Sequence, residues 1–195
     1  MAQEINDIFP GEGVFEVILG TNGVKPNLSP IGVIKKGEEL TSKIYRETLT
    51  YSNIMKLALC TIHVTDDPRV FYSALMKNLE FAILEGLPAL SSGVYSIIRA
   101  KCEYTEGNNP ATFRLIPINV QELGKRKKAF SRGHSLFIDA MVHFTRLEIL
   151  PKEEVKELLE VLSYELKTCK RISPDIRDLV EDLEKRIVSK GFKLA

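Results

Sequence analysis

The spacing of apolar residues changes once along this chain, near Lys125, and that change limits what the chain can fold into. Before it, apolar and polar residues alternate; after it, apolar residues recur every three to four positions. Alternation predicts strands with one face on a core, and the longer period predicts helices. The expected architecture is mainly β with α. An antiparallel barrel or curled sheet over 1–124 carries one inserted helix, and a helical subdomain follows over 125–195.

Within the first part, strands are expected at 14–20, 28–36, 40–47 and 58–65. In the last of these Ala58, Cys60, Ile62 and Val64 share one face. Asn22-Gly23 is a hairpin signal, because both residues tolerate positive φ. Ser96–Glu106 and Ala111–Val120 flank Gly107-Asn108-Asn109-Pro110 and predict a long hairpin. Asp66-Asp67-Pro68 predicts a helix start, with apolar positions running to Ile83 and Gly86 as the stop. In the second part helices are expected over 131–149, from Pro151, and from Ser173-Pro174 to a stop at Gly191. The first is apolar on two sides, so it is expected to be buried or to pack on a partner subunit.

The stretch from Asn22 to Asn53 holds the most suggestive chemistry. Asn27-Leu28-Ser29-Pro30-Ile31-Gly32 sits at one end and Arg46-Glu47-Thr48-Leu49-Thr50-Tyr51-Ser52-Asn53 at the other. Both set short amide and hydroxyl groups beside apolar residues, a combination that holds an anionic or heterocyclic ligand against a dry wall. The same residues also serve as two turns and a helix start, with Thr50 as the expected cap. Pro30 cannot donate to a ladder, so a bulge or an edge position is expected there.

Composition narrows the alternatives. The 195 residues carry a formal net charge of +1, so no broad basic field for nucleic acid exists. The run Lys125-Arg126-Lys127-Lys128 reads as a solvated linker, and Arg132-Gly133-His134 as a helix start with an anion site as its alternative. Three cysteines, Cys60, Cys102 and Cys169, lack C-x-x-C spacing and are expected to be buried free thiols in a reducing compartment. His63, His134 and His143 stand at no metal-ligand spacing, so no metal is expected. No apolar run is long enough for a bilayer, and residues 1–7 lack the character of a signal peptide, so a cytoplasmic location is expected.

These motifs, in this order, resemble the flavin reductase-like, FMN-binding split-barrel superfamily. Asn27-Leu28-Ser29-Pro30-Ile31-Gly32 is similar to the strand that lines the flavin ring. Thr50-x-x-Asn53-Ile54, followed by a strand and Thr65-Asp66-Asp67-Pro68, is similar to the segment near the flavin phosphate. The whole chain resembles the uncharacterised archaeal family called domain of unknown function 447, to which Ser131-Arg132-Gly133 and Thr145-Arg146-Leu147 also correspond. The resemblance implies an antiparallel split β-barrel and a homodimer with FMN in a cleft. It implies cofactor contacts from Asn27, Leu28, Ser29, Pro30, Arg46, Thr48, Thr50, Tyr51 and Asn53. Flavin reductases often carry Lys-Asp before the threonine of the phosphate segment, where this chain has Thr48 and Leu49. That departure leaves the phosphate to Arg46 or Arg132. No catalytic residue carries over. The expected function is a flavin-dependent oxidoreductase of unknown substrate, with a flavin-binding or scaffold protein without turnover as the alternative.

Overall fold

The computed structural model describes residues 1–125 and 128–194. Arg126 and Lys127 of the basic run lie outside the described residues. The chain divides into two compact units, one of residues 1–11 and 15–130, the other of residues 12–14 and from Ser131 onward.

Among the described residues nine strands occur, in the first unit except for Gly13, Val14 and Ser131. They are β1 (Gly13–Thr21), β2 (Asn27–Lys36), β3 (Glu39–Ile44), β4 (Leu59–Val64), β5 (Ala82–Leu84), β6 (Leu87–Ala89), β7 (Ser96–Glu106), β8 (Ala111–Glu122) and β9 (Phe130–Ser131). Hydrogen bonding runs β2-β3-β8-β7-β4-β1, and β1 pairs back with β2, which closes a six-stranded barrel. The registered ladders are antiparallel. Alternation sends one set of residues inward from every strand: Phe15, Val17 and Leu19; Val33; Leu40 and Ile44; Cys60, Ile62 and Val64; Ile98, Ala100 and Cys102; Phe113 and Leu115. Each such aliphatic or aromatic side chain contributes roughly 1.5–3 kcal/mol by leaving water. The edge-to-face pair of Phe9 and Phe15, with centroids 5.5 Å apart, closes one region of this core.

Among the described residues this unit holds helices α1 (Ala2–Ile8), α2 (Leu49–Lys56) and α3 (Pro68–Leu75). Helix α1 had no counterpart in the sequence reading; Ile5 and Ile8 anchor it in the barrel core. Asp67 caps α3 by accepting from the Arg69 amide at 2.9 Å, and Pro68 takes the first turn. The helix stops at Leu75, well short of Ile83. Lys77 adopts a left-handed φ of 60°, which turns the chain away. Residues expected to be its last turns instead form the β5–β6 hairpin. Glu85 and Gly86 sit at its tip with φ of 48° and 81°, the mirror-image turn that suits strand twist. The third strand is also shorter than expected: it ends at Ile44, and Thr48 folds back onto the Tyr45 carbonyl at 3.2 Å.

The second unit packs α4 (Arg132–Arg146), α5 (Lys152–Ile172) and α6 (Arg177–Ser189). Phe137 and Ala140, Leu162, Leu166 and Cys169, and Val180, Leu183 and Ile187 form its core. Gly133 is required at the head of α4: a Cβ there would lie 1.9 Å from Ser173 Oγ and 2.7 Å from Ser173 Cβ. The second apolar side of α4, with Ile138 and Val142, is exposed rather than buried, as is Ile149 beyond the helix end. No helix among the described residues is long and apolar enough to cross a membrane.

Candidate functional site

Strand β2 enters the barrel through Asn27–Gly32, ahead of its registered ladder with β3, which starts at Val33. Pro30 therefore costs that ladder no donor. Helix α2 starts beside this segment. Its cap is Thr48 rather than Thr50: the Thr48 hydroxyl accepts from the Tyr51 amide at 3.2 Å and donates to the Tyr45 carbonyl at 2.7 Å. This frees Thr50, in the first turn and 4% exposed, to face β2.

Four side chains then converge from β2, α2 and the turn after α3. The Asn27 amide donates to Ser29 Oγ at 2.7 Å and to Thr50 Oγ1 at 3.1 Å. The Thr50 hydroxyl lies 3.3 Å from Ser29 Oγ. Lys77, just beyond α3, donates to Asn27 Oδ1 at 3.0 Å and to Ser29 Oγ at 3.3 Å. Asn27 thus has both ends of its amide occupied, which fixes its orientation.

This cluster forms the wall of a cavity of about 460 Å³. Thr48 and a second cation, Lys43, add to the polar side, while Pro30, Ile31, Ile44, Leu49 and Leu75 supply an apolar side. The volume is within the roughly 300–1,000 Å³ of small-molecule sites. Among the described residues its lining contains no carboxylate, histidine or cysteine, and the fixed charges it holds, Lys43 and Lys77, are positive. A second hollow of about 310 Å³ adjoins it, shares Asn27, Leu49 and Lys77, and takes Leu28 as a wall.

Of the residues expected at a cofactor, Asn27, Ser29, Pro30, Thr48 and Thr50 line the main cavity and Leu28 the adjoining one. Arg46, Tyr51 and Asn53 do not line either. The Arg46 guanidinium stands 5.7 Å over the Tyr51 ring, and Tyr51 meets Phe113 edge-on at 5.9 Å. Asn53 is wholly buried; its oxygen accepts from the Val24 amide at 2.8 Å, and its amide donates to the Lys25 carbonyl at 2.9 Å and to Thr21 Oγ1 at 3.1 Å. It holds the loop after β1. Lys77 and Lys43 were not foreseen. Lys77 stands 50 positions from its partner Asn27, and no local pattern marks it.

The histidines and cysteines singled out in the sequence have structural partners. Burial depresses the His63 imidazole to about 4, against a smaller opposing effect of the Ile18 carbonyl. Its Nδ1–H donates to that carbonyl at 3.1 Å, and Nε2 accepts from the Leu90 amide at 3.3 Å. The Cys60 thiol is pushed up by the neighbouring Cys102 thiol and by burial. Burial and the charge of Glu165 push Cys169 up to about 11. His134 meets Asp175 at 2.8 Å, and His143 meets Glu165 at 3.0 Å. Among the described residues no cluster of three or more metal-ligating side chains occurs.

Residues 15–123 match the sequence model described as "Protein of unknown function (DUF447) N-terminal domain", and residues 131–187 match "Protein of unknown function (DUF447)". The chain belongs to the DUF447 family. This DUF447 chain is similar to the FMN-bound protein MM1853 of Methanosarcina mazei, at 23% identity and a TM-score of 0.56, over 92% of this chain and 97% of that one. Two further structures match at a TM-score of 0.50. One is the NADH:FAD oxidoreductase SgcE6 of Streptomyces globisporus C-1027 in complex with NAD and FAD fragments, at 10% identity over 63% of this chain and 83% of that one. The other is the flavin reductase domain protein of Arthrobacter sp. FB24, at 13% identity over 65% and 87%. These likenesses establish the flavin reductase-like split-barrel fold. No curated protein matches the chain.

Proposed function

We propose that this DUF447 protein binds FMN in the cavity walled by Asn27, Ser29, Thr50 and Lys77, and that it is a flavin-dependent oxidoreductase. The observation that carries the reading is the meeting of Lys77 with the Asn27–Ser29–Thr50 cluster opposite an apolar wall. A flavin mononucleotide needs those two surfaces at once, a dry face for its rings and donors with positive charge for its carbonyls and phosphate. Lys43 and Lys77 together offset a doubly charged phosphate, and no lining carboxylate opposes them. Pro30, Ile31 and Ile44 supply the apolar side. The likeness to the FMN-bound MM1853 supports FMN rather than another planar ligand.

When bound, FMN supplies the electron-transfer chemistry, and the protein supplies position and electrostatics. The lining accords with that division, because it holds no carboxylate, histidine or cysteine to move a proton. The same observation favours a second reading, a flavin-holding protein without turnover. Rapid mixing of FMN-loaded protein with NADH, NADPH or a reduced deazaflavin separates the two. Bleaching of the flavin with release of oxidised donor supports the oxidoreductase; an unbleached flavin with all three donors supports the second reading.

The site also supports a homodimer. Tyr45 and Leu75 line the cavity yet are 54% and 62% exposed, and Tyr72 and Met76 add exposed apolar surface beside Leu75. A second copy laid over these residues would close the cavity. Light scattering on the purified protein tests this, with a mass of two chains expected.

A further inference from the structure

On another part of the barrel unit, Arg99 stands in a cavity that shares no lining residue with the proposed flavin site. Register places Thr61 of β4, Arg99 of β7 and Asn119 of β8 side by side across three strands. They face outward, since Ile98 and Ala100 take the barrel interior. The β5–β6 hairpin covers this row and leaves a hollow of about 230 Å³. Leu84, Leu87 and Ile97 give it an apolar floor, and Asn119 and Gln121 add amides.

Arg99 is the group in this hollow that is not at rest. Its Nη1 is paired with Glu85, while its Nε is buried and has no hydrogen-bond partner among the described residues. A buried guanidinium N–H without an acceptor is costly, of order 1–3 kcal/mol or more. The ladder shifts register between Arg99 and Ala100, an irregularity of the kind that re-aims a side chain. Glu85 sits at the hairpin tip in a left-handed conformation, with its side chain 69% exposed. Its hold on Arg99 is therefore weak and easily exchanged.

We infer that this hollow is a binding site for a small organic monocarboxylate, and that Glu85 is the internal carboxylate it displaces. A carboxylate is planar and takes two guanidinium N–H groups together, so a ligand carboxylate in the hollow competes with Glu85 for Arg99. The apolar floor accepts a short hydrocarbon body. A nearby Glu85 charge disfavours a dianion such as inorganic phosphate. The hollow is too small for a flavin, so this site does not depend on the flavin reading.

Calorimetric titration of the full-length protein with butyrate, 1-butanol and inorganic phosphate tests the inference. Butyrate is expected to bind, and the two others are not. Arg99→Gln and Arg99→Lys are each expected to weaken butyrate by about tenfold or more, from the loss of charge-assisted or paired N–H donors. Glu85→Gln is expected to tighten it several-fold, because the competitor is gone; this variant changes an exposed side chain and keeps the fold testable. Equal binding of butanol and butyrate, tighter binding of phosphate, unchanged affinity in both Arg99 variants, or no butyrate binding by wild type and Glu85→Gln would each overturn it.

Discussion

The Thr50 hydroxyl lies 3.3 Å from the Ser29 hydroxyl, and Asn27 donates its amide to both. The contact joins the first turn of α2 to the entry of β2. It places the polar ends of two separated segments on one cavity wall.

Thr50→Val keeps the shape of the side chain and removes its hydroxyl. Asn27 then loses one acceptor in a buried setting, at a cost of about 1–3 kcal/mol. The midpoint of urea unfolding should fall accordingly. FMN affinity should fall as well, by roughly tenfold for about 1.4 kcal/mol of lost orientation. Equilibrium dialysis of the variant against FMN checks the second outcome.

Lys77→Met should separate charge from shape. A charge-assisted hydrogen bond is worth about 1.5–3 kcal/mol, so FMN should bind roughly ten- to hundredfold more weakly. Riboflavin, which lacks the phosphate, should lose much less. Salt should weaken FMN binding to wild type more than to this variant. Fluorescence titrations with both flavins read all three effects.

His63 makes the barrel unit sensitive to acid. Its folded-state value of about 4 is below the ordinary 6.5, so between those values the unfolded chain binds the extra proton. The stability from a neutral His63 is complete above about pH 6.5 and is lost progressively as pH falls to about 4. The difference is worth about 3 kcal/mol. Urea midpoints measured across this range should fall toward acid, and His63→Gln should flatten that part of the profile.

Gly133→Ala should destabilise the helical unit. The added Cβ would lie 2.7 Å from Ser173 Cβ, which no side-chain rotation moves, and 3.2 Å from Ile172 Cγ1. Overpacking of this kind costs about 1–3 kcal/mol. Thermal unfolding followed by circular dichroism should show a lower midpoint, whereas an alanine placed at exposed Ser189 should leave it unchanged.

Much of the fold could be read from periodicity. Cys60, Ile62 and Val64 point inward together, as alternation requires, while Ala58, expected on the same face, is exposed just before β4; Leu162 and Leu166 lie on the buried face of α5, with Val155, Leu158 and Leu159 partly buried beside them. The failures have local causes. Apolar residues at helical spacing continue past Leu75, but the left-handed turn at Lys77 ends the helix, and Gly86 closes a hairpin rather than a helix. Thr48 and Thr50 are equally good caps by composition; only the fold-back onto Tyr45 selects Thr48. At the site, the Asn27–Pro30 and Thr48–Thr50 groups were legible because each is a short run of suitable chemistry. Lys77 was not, because its role depends on a contact across 50 residues. Asn53 looked like a ligand group by composition, and its side chain is committed to the Val24–Lys25 backbone.

Titration of the purified, flavin-stripped protein with FMN tests the central claim most directly. The account predicts saturable binding of one flavin per chain, with a shifted visible spectrum, and marked weakening in both Thr50→Val and Lys77→Met. A folded wild-type protein that leaves the FMN spectrum unchanged, or binding untouched by either substitution, would contradict it.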